Sequence, residues 1–119
     1  MSMAPGFPLN PPKARKKMWT ILVPTQRNNG RPIRTRFHRV WDAKVREITG
    51  GLTNQTPSRG QWVAPNGELY NERMIPVMFV ATEAECDKIM HMTMTYYEQL
   101  AILCWEVSTN VKMLEIHDV

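Results

Sequence analysis

The chain has 119 residues, of which 43% are hydrophobic, and this suits one compact domain with a modest core. No apolar run approaches the roughly 18 residues that span a membrane, and the N-terminal segment lacks the apolar stretch of a secretory signal. We therefore expect a cytoplasmic protein with no membrane partner. The net charge of +4 is unevenly distributed along the sequence. Residues 1–46 contain eleven Lys and Arg and one acidic residue, Asp42, whereas residues 47–119 contain four Lys and Arg and ten acidic residues. Such a split is typical either of a nucleic-acid-binding arm or of a solvated tail beside a site for a small anion.

The first half of the chain predicts a leader, a strand and a helix. Residues 1–17 are basic and rich in proline, which predicts a disordered leader ahead of a single α+β domain over residues 18–119. The run from Met18 to Thr25, "MWTILVPT", predicts the first strand, and a polar loop follows it. From Thr35, a candidate N-cap, apolar residues recur at helical spacing until Gly50-Gly51 ends the helix.

The second half predicts a hairpin, a second helix and one or two further strands. Two β segments, residues 52–63 and 70–81, flank a turn that contains Asn66-Gly67. Thr82 then caps the second helix, and Glu85 completes a capping box. The predicted inner face of this helix comprises Cys86, Ile89, Met90, Thr93, Tyr97 and Leu100. Residues 101–107 and 111–116 are both strand-like.

The resulting order, β-α-β-β-α-β, is the ferredoxin-like pattern of an antiparallel sheet with two helices on one face. The other face of the sheet would carry no helix. Because an uncovered apolar face is a liability in so small a domain, we expect a homo-oligomer, either a dimer or a trimer.

Motifs for metal, cofactor or nucleophile chemistry are missing from the sequence. There is no Gly-rich phosphate loop and no H-E-x-x-H, and His38, His91 and His117 are scattered. Cys86 and Cys104 belong to no spaced Cys/His set, so two free buried thiols are expected. We predict no metal site and no resident cofactor.

Polar and aromatic residues near the ends of apolar elements are the candidate site. They are Arg27, Trp62, Tyr70, Glu72, Glu98 and Gln99. Glu72 enters the predicted third strand, and Glu98 lies near the end of the second helix. A carboxylate late in a helix opposes the helix dipole, which indicates another use, such as holding an ammonium group or accepting a proton. The alternative is that both carboxylates are simply solvated.

Four segments in the same order and at similar separations resemble the phage-encoded S-adenosylmethionine lyases. They are "WTILVPTQRNN", "RGQWV", "NERMIPV" and "YYEQLAILCW", and together they span Trp19 to Trp105. The wider PII-like group of trimeric proteins shares much of this pattern. The resemblance implies a PII-like fold, a trimer with its site between subunits, and a location in the host cytoplasm if the gene belongs to a phage.

The same resemblance implies cleavage of S-adenosylmethionine to methylthioadenosine and homoserine lactone. It assigns Glu72 and Glu98 as the catalytic carboxylates, and places Trp62 where the family has its active-site tyrosine. An indole cannot replace a phenol as an acid or base.

The reaction nevertheless needs mainly positioning, since the substrate's own carboxylate is the nucleophile. Glu72 or Glu98 would hold the substrate ammonium, and the face of Trp62 would meet the sulfonium. Arg27, Tyr70 and Gln99 complete the predicted substrate-binding set.

Two other functions fit the sequence. A PII-like oligomer could capture a nucleotide or another small ligand without turning it over. A nucleic-acid-binding protein would use the basic first half of the chain.

Overall fold

A computed structural model of the chain describes residues 14–116, so most of the predicted leader lies outside the described residues. The elements, in chain order, are β1 Lys17–Pro24, α1 Thr35–Thr49, β2 Thr53–Asn54, β3 Ser58–Val63, β4 Leu69–Ala81, α2 Glu83–Tyr96 and β5 Cys104–Ser108. All strand pairs are antiparallel, in the order β2-β4-β1-β5, and β3 pairs with β4 beside β2. The predicted α+β, ferredoxin-like arrangement is confirmed.

The core lies between the sheet and the two helices. Trp19, Ile21 and Val23 alternate along β1 onto the helix-covered face and are buried. From β4, Val77, Phe79 and Ala81 join them. The helices contribute Trp41, Val45, Cys86 and Ile89. A buried hydrogen bond of 3.0 Å from Trp41 Nε1 to Thr93 Oγ1 fixes the contact between α1 and α2.

The elements differ from the predicted ones in several details. The segment 52–63 forms two strands rather than one, because Pro57 lies in the break and has no N–H to donate. Residues 111–116 form no strand, since Ser108 Oγ accepts from Asn110 N in a turn and the chain beyond pairs with no sheet edge. Leu100 is 95% exposed, because α2 ends four residues before it.

Two of the three predicted helix caps are present. Gly50 ends α1 with a left-handed φ of 90°, as predicted. The capping box of α2 is present, with Thr82 Oγ1 accepting from Glu85 N at 3.2 Å and Glu85 Oε1 accepting from Thr82 N at 2.8 Å. At the start of α1, however, the N-cap is Arg34 rather than Thr35, and no side chain caps that end.

The sheet face opposite the helices is apolar. In the strand register, Thr20 of β1 lies between Met78 of β4 and Trp105 of β5 on this face. Leu22 and Met78 are half-buried, and Trp105 is 43% exposed. No described helix covers this face. None of the described helices is long and apolar enough to cross a membrane.

The two threonines at the helix starts give a matched test of the capping. Replacing Thr82 by Ala should lower the free energy of unfolding by about 1 kcal/mol, because it removes the acceptor for Glu85 N. Thr35→Ala should change it by a few tenths of a kcal/mol at most, since Thr35 caps nothing. Urea unfolding followed by circular dichroism measures both, and equal losses in the two variants would contradict this assignment.

Candidate functional site

Glu98 occupies a strained position just after α2. The helix ends at Tyr96, and Glu98 has a φ of 54°, the one non-glycine residue in the left-handed region among residues 14–116. Its N–H donates to Thr95 O at 3.3 Å, and Gln99 N donates to Met94 O at 2.9 Å. This pair of bonds is a Schellman motif, whose left-handed residue is usually glycine. A non-glycine residue costs about 1 kcal/mol or more there, and such strain is typical of functional positions.

The loop after β1 holds this turn in place. Residues 26–32 form a tight loop closed by a bridge between Gln26 and Pro32. From it, Asn28 Nδ2 donates to Glu98 O at 2.9 Å, and Asn28 Oδ1 accepts from Gln99 Nε2 at 3.4 Å. Glu98 and Gln99 therefore lie beside the loop that carries Arg27. Asn28 is a positioning residue that the sequence did not single out.

The two tyrosines before Glu98 are structural. Tyr97 is 1% exposed, and its hydroxyl lies 2.7 Å from His38 Nδ1. Burial raises the pKa of Tyr97 and lowers the pKa of His38, although the charge of Asp42 opposes the second shift. Tyr96 donates its hydroxyl to Phe37 O at 2.7 Å. Both phenols therefore anchor the end of α2 against α1 and stay protonated at neutral pH.

The predicted residues of the hairpin lie on one face of the β3–β4 ribbon. Trp62 is directly opposite Tyr70, and their rings stack with centroids 4.9 Å apart. Glu72, two residues beyond Tyr70, lies on the same face. The Tyr70 hydroxyl donates to the Glu68 carboxylate at 2.8 Å, which raises the pKa of Tyr70. Among the described residues, nothing forms a hydrogen bond or ion pair with the Glu72 carboxylate.

A hollow of about 570 Å³ adjoins the ribbon. It is lined by Gln26, Pro57, Arg59, Asn71, Glu72 and Arg73. Arg59 lies directly opposite Arg73, and like charges in this position destabilise a strand pair. Neither has an ion-pair partner within residues 14–116. Both lie on the ribbon face opposite Glu72, because neighbouring strand residues alternate between faces. The sequence could have revealed this pair, because the turn at residues 64–68 fixes the hairpin register.

One chain presents the candidate residues as two half-sites. The ribbon half comprises Trp62, Tyr70 and Glu72, and the turn half comprises Arg27, Glu98 and Gln99. They flank β1 on opposite sides, since the ribbon continues into β4 and the turn leads into β5. Two strand spacings separate those neighbours, about 10 Å. No hydrogen bond or ring contact joins the two halves in the described part of the chain.

The solved structures that the chain resembles include a phage lyase and several CutA proteins. A phage SAM lyase in complex with S-methyl-5'-thioadenosine superposes with a TM-score of 0.63 at 10% identity, covering 87% of this chain and 88% of that one. CutA from Xylella fastidiosa gives 0.62 at 7% identity over 84% and 88% of the two chains, and CutA from Synechococcus elongatus PCC7942 gives 0.57 at 11% over 81% and 78%. The shared feature is the fold. No family model matches the sequence, and no curated protein matches it.

These structures show the fold of the chain, but they do not distinguish between the functions that this fold serves. The CutA structures and the phage lyase have the same ferredoxin-like α+β fold as this chain, and identities near 10% carry no residue roles. In residues 14–116, no group of three or more His, Cys, Asp or Glu side chains could hold a metal ion.

The strain at Glu98 can be measured. Glu98→Gly should raise the free energy of unfolding by about 1 kcal/mol, because glycine adopts the left-handed conformation without penalty. Glu98→Ala is the matched control, since it also removes the carboxylate but keeps the strained backbone. A Gly variant no more stable than the Ala variant in urea unfolding would show that the turn is unstrained.

Proposed function

We propose that this chain is an S-adenosylmethionine lyase that releases methylthioadenosine and homoserine lactone. The observation that carries the proposal is the Glu98 carboxylate, kept at a backbone position that favours glycine and followed by Gln99. The likeness in fold to a phage lyase whose structure contains S-methyl-5'-thioadenosine supports it. The ordered segments that resemble that family support it independently of the fold.

The chemistry requires positioning rather than proton transfer. An oxygen of the substrate carboxylate attacks the γ-carbon, a C–O bond forms, and the C–S bond breaks with its electron pair passing to sulfur. The sulfonium and carboxylate charges cancel, so no proton is gained or lost. Holding the methionine moiety folded can supply about 7–11 kcal/mol of such a barrier. A base is therefore unnecessary, and Trp62 in place of a tyrosine is compatible with turnover.

The described side chains fit the parts of this substrate. The carboxylates of Glu72 and Glu98 would hold the ammonium, and the exposed stacked pair Trp62 and Tyr70 offers an aromatic face to the sulfonium or the adenine. Arg27 and Gln99 would complete the binding set from the turn half.

A complete site requires a second subunit, and we propose a trimer. The open sheet face is apolar, and all six residues of β3 are exposed, which leaves two surfaces that association would cover. When the ribbon half of one chain lies against the turn half of its neighbour, the two carboxylates share one cleft. The two half-sites, which lie on opposite sides of β1 within one chain, then come together between two chains.

Activity gives the direct test. Glu72→Gln should lower kcat/KM for S-adenosylmethionine by about 10- to 100-fold, because a charge-assisted hydrogen bond of about 1.5–3 kcal/mol is lost. Glu83→Gln removes an exposed carboxylate that pairs with Lys17 at the start of α2, away from both half-sites, and should leave the rate unchanged. Chromatography of released methylthioadenosine measures both, and a wild-type rate in Glu72→Gln would refute the assignment.

A second candidate is a PII-like binder that captures a small ligand without turnover. It is favoured by Trp62, which lacks the hydroxyl of the family's tyrosine. Wild-type protein that retains intact S-adenosylmethionine and releases no methylthioadenosine would identify a binder.

The oligomer depends on the open face. Trp105→Glu should convert the trimer to monomers in sedimentation velocity, because a carboxylate cannot be buried in an apolar interface. Val40→Glu places the same charge on a half-exposed residue of α1 and should leave the trimer intact. Thermal unfolding checks that both variants fold. A monomeric wild-type protein, or a trimeric Trp105→Glu, would contradict this interface.

A further inference from the structure

A second hollow, of about 770 Å³, lies between the start of α1 and the 26–32 loop. We call it the arginine groove. It is lined by Arg27, Arg31, Pro32, Arg34, Arg36, Phe37, Val40 and Tyr96. Four of the eight lining residues are arginines, and none is acidic. The proposed lyase chemistry leaves the groove unused except for Arg27, which lies at its edge.

The two aromatic rings that line the groove, Phe37 and Tyr96, each contact a cation. Phe37 and Tyr96 stack with centroids 4.1 Å apart. The Arg27 guanidinium lies 4.6 Å from the centroid of Phe37, and Lys44 Nζ lies 5.2 Å from that of Tyr96. Each cation is thus ordered by a cation–π contact, and each aromatic ring has one face against its neighbour and the other against a cation. The rings position positive charge and leave no free face on which a base could stack.

Nothing in the described part of the chain neutralises the groove. The two ion pairs within residues 14–116 both use Lys17. The first turn of α1 has no acidic residue, although that position favours one. Asp42, further along α1, accepts a hydrogen bond from Asn54 Nδ2 at 3.3 Å. Four arginines therefore line one hollow beside the N-terminus of α1, an arrangement that favours a ligand with several negative charges.

The basic first half of the chain is not one patch. The arginine groove follows the end of β1, whereas Arg15 and Lys16 precede its start, and Arg15 donates to Thr109 O. Eight strand residues at about 3.3 Å each separate the two groups by roughly 25 Å. The groove and the N-terminal cations can therefore be altered independently.

We propose that the arginine groove binds the phosphodiester backbone of double-stranded DNA. An open groove with several cations along its length matches a row of phosphates better than one small anion. Single-stranded binding relies on bases stacked upon aromatic side chains, and here the faces of Phe37 and Tyr96 are occupied. Binding would be independent of base sequence, since the groove arginines meet only the backbone.

The test compares two triple variants of the full chain. Arg31→Ala, Arg34→Ala and Arg36→Ala together remove three groove cations while Arg27 stays. Lys13→Ala, Arg15→Ala and Lys16→Ala remove three cations before β1. Fluorescence anisotropy of a labelled 20-base-pair duplex, titrated at several salt concentrations, gives the slope of log K against log salt. Thermal unfolding confirms that each variant folds.

In the groove variant, the slope of log K against log salt should be smaller in magnitude by about 2.7, because three phosphate contacts are lost at roughly 0.9 each. Wild-type affinity should therefore fall about 40-fold more than that of the groove variant between 50 and 200 mM salt. The N-terminal variant should keep the larger part of the wild-type slope.

Four results would overturn the proposal. They are no duplex binding by the wild type, an unchanged slope in the groove variant, tighter binding of a single strand of the same sequence, and displacement of the duplex by inorganic triphosphate at equal phosphate concentration. S-adenosylmethionine cleavage, measured on the same variants, reports on the proposed lyase separately, so failure of one function is distinguishable from failure of the other.

Discussion

The position of β1 between β4 and β5 is the constraint on which the rest of the structure depends. Its inward residues Trp19, Ile21 and Val23 form the centre of the core, the buried part of β4 pairs with one edge of it, and β5 pairs with the other. The loop after β1 therefore emerges between the ribbon and the end of α2. Through Gln26 it reaches the hollow beside Glu72, and through Asn28 it holds Glu98. The two half-sites therefore lie on either side of this loop.

Glu98 is where local and global preferences conflict. The backbone bonds that close α2 would be more stable with glycine at this position, and the tyrosines before it are occupied by packing against α1. Among the described residues, the Glu98 carboxylate makes no hydrogen bond or ion pair that would stabilise the turn. Proteins keep such conflicts mainly where the side chain serves a ligand or a partner. The Glu98 carboxylate therefore lies beside the core because α2 ends next to it, and we propose that it binds a ligand rather than another part of the chain.

Local signals in the sequence were sufficient for the elements and their order. Thr82 and Glu85 identify a helix start through bonds within four residues, and Gly50 and the turn at residues 64–68 act over similarly short ranges. The left-handed backbone of Glu98 was not predictable, since it arises from where packing ends α2. The missing strand at residues 111–116 shows the same limit, because the apolar character of a segment does not determine whether it pairs with a sheet edge.

The candidate site was predictable only as separate residues. Trp62 and Tyr70 are eight residues apart, and their stacking follows from the hairpin register. The arginine groove, by contrast, requires α1, the 26–32 loop and Tyr96 to meet, and no spacing in the sequence encodes that contact. Charge counting found the basic half of the chain, but only the fold divides it into two separate groups.

The central claim is that one active cleft combines Glu72 of one subunit with Glu98 of another. Subunit complementation tests it most directly. Glu72→Gln and Glu98→Gln proteins, each with at most about a tenth of the wild-type activity alone, are unfolded together in equal amounts, refolded together and assayed for methylthioadenosine release. About a quarter of the clefts should then contain both native carboxylates, and about a quarter of the wild-type activity should return. A mixture no more active than its components, beside wild-type protein that recovers fully from the same treatment, would contradict the shared cleft.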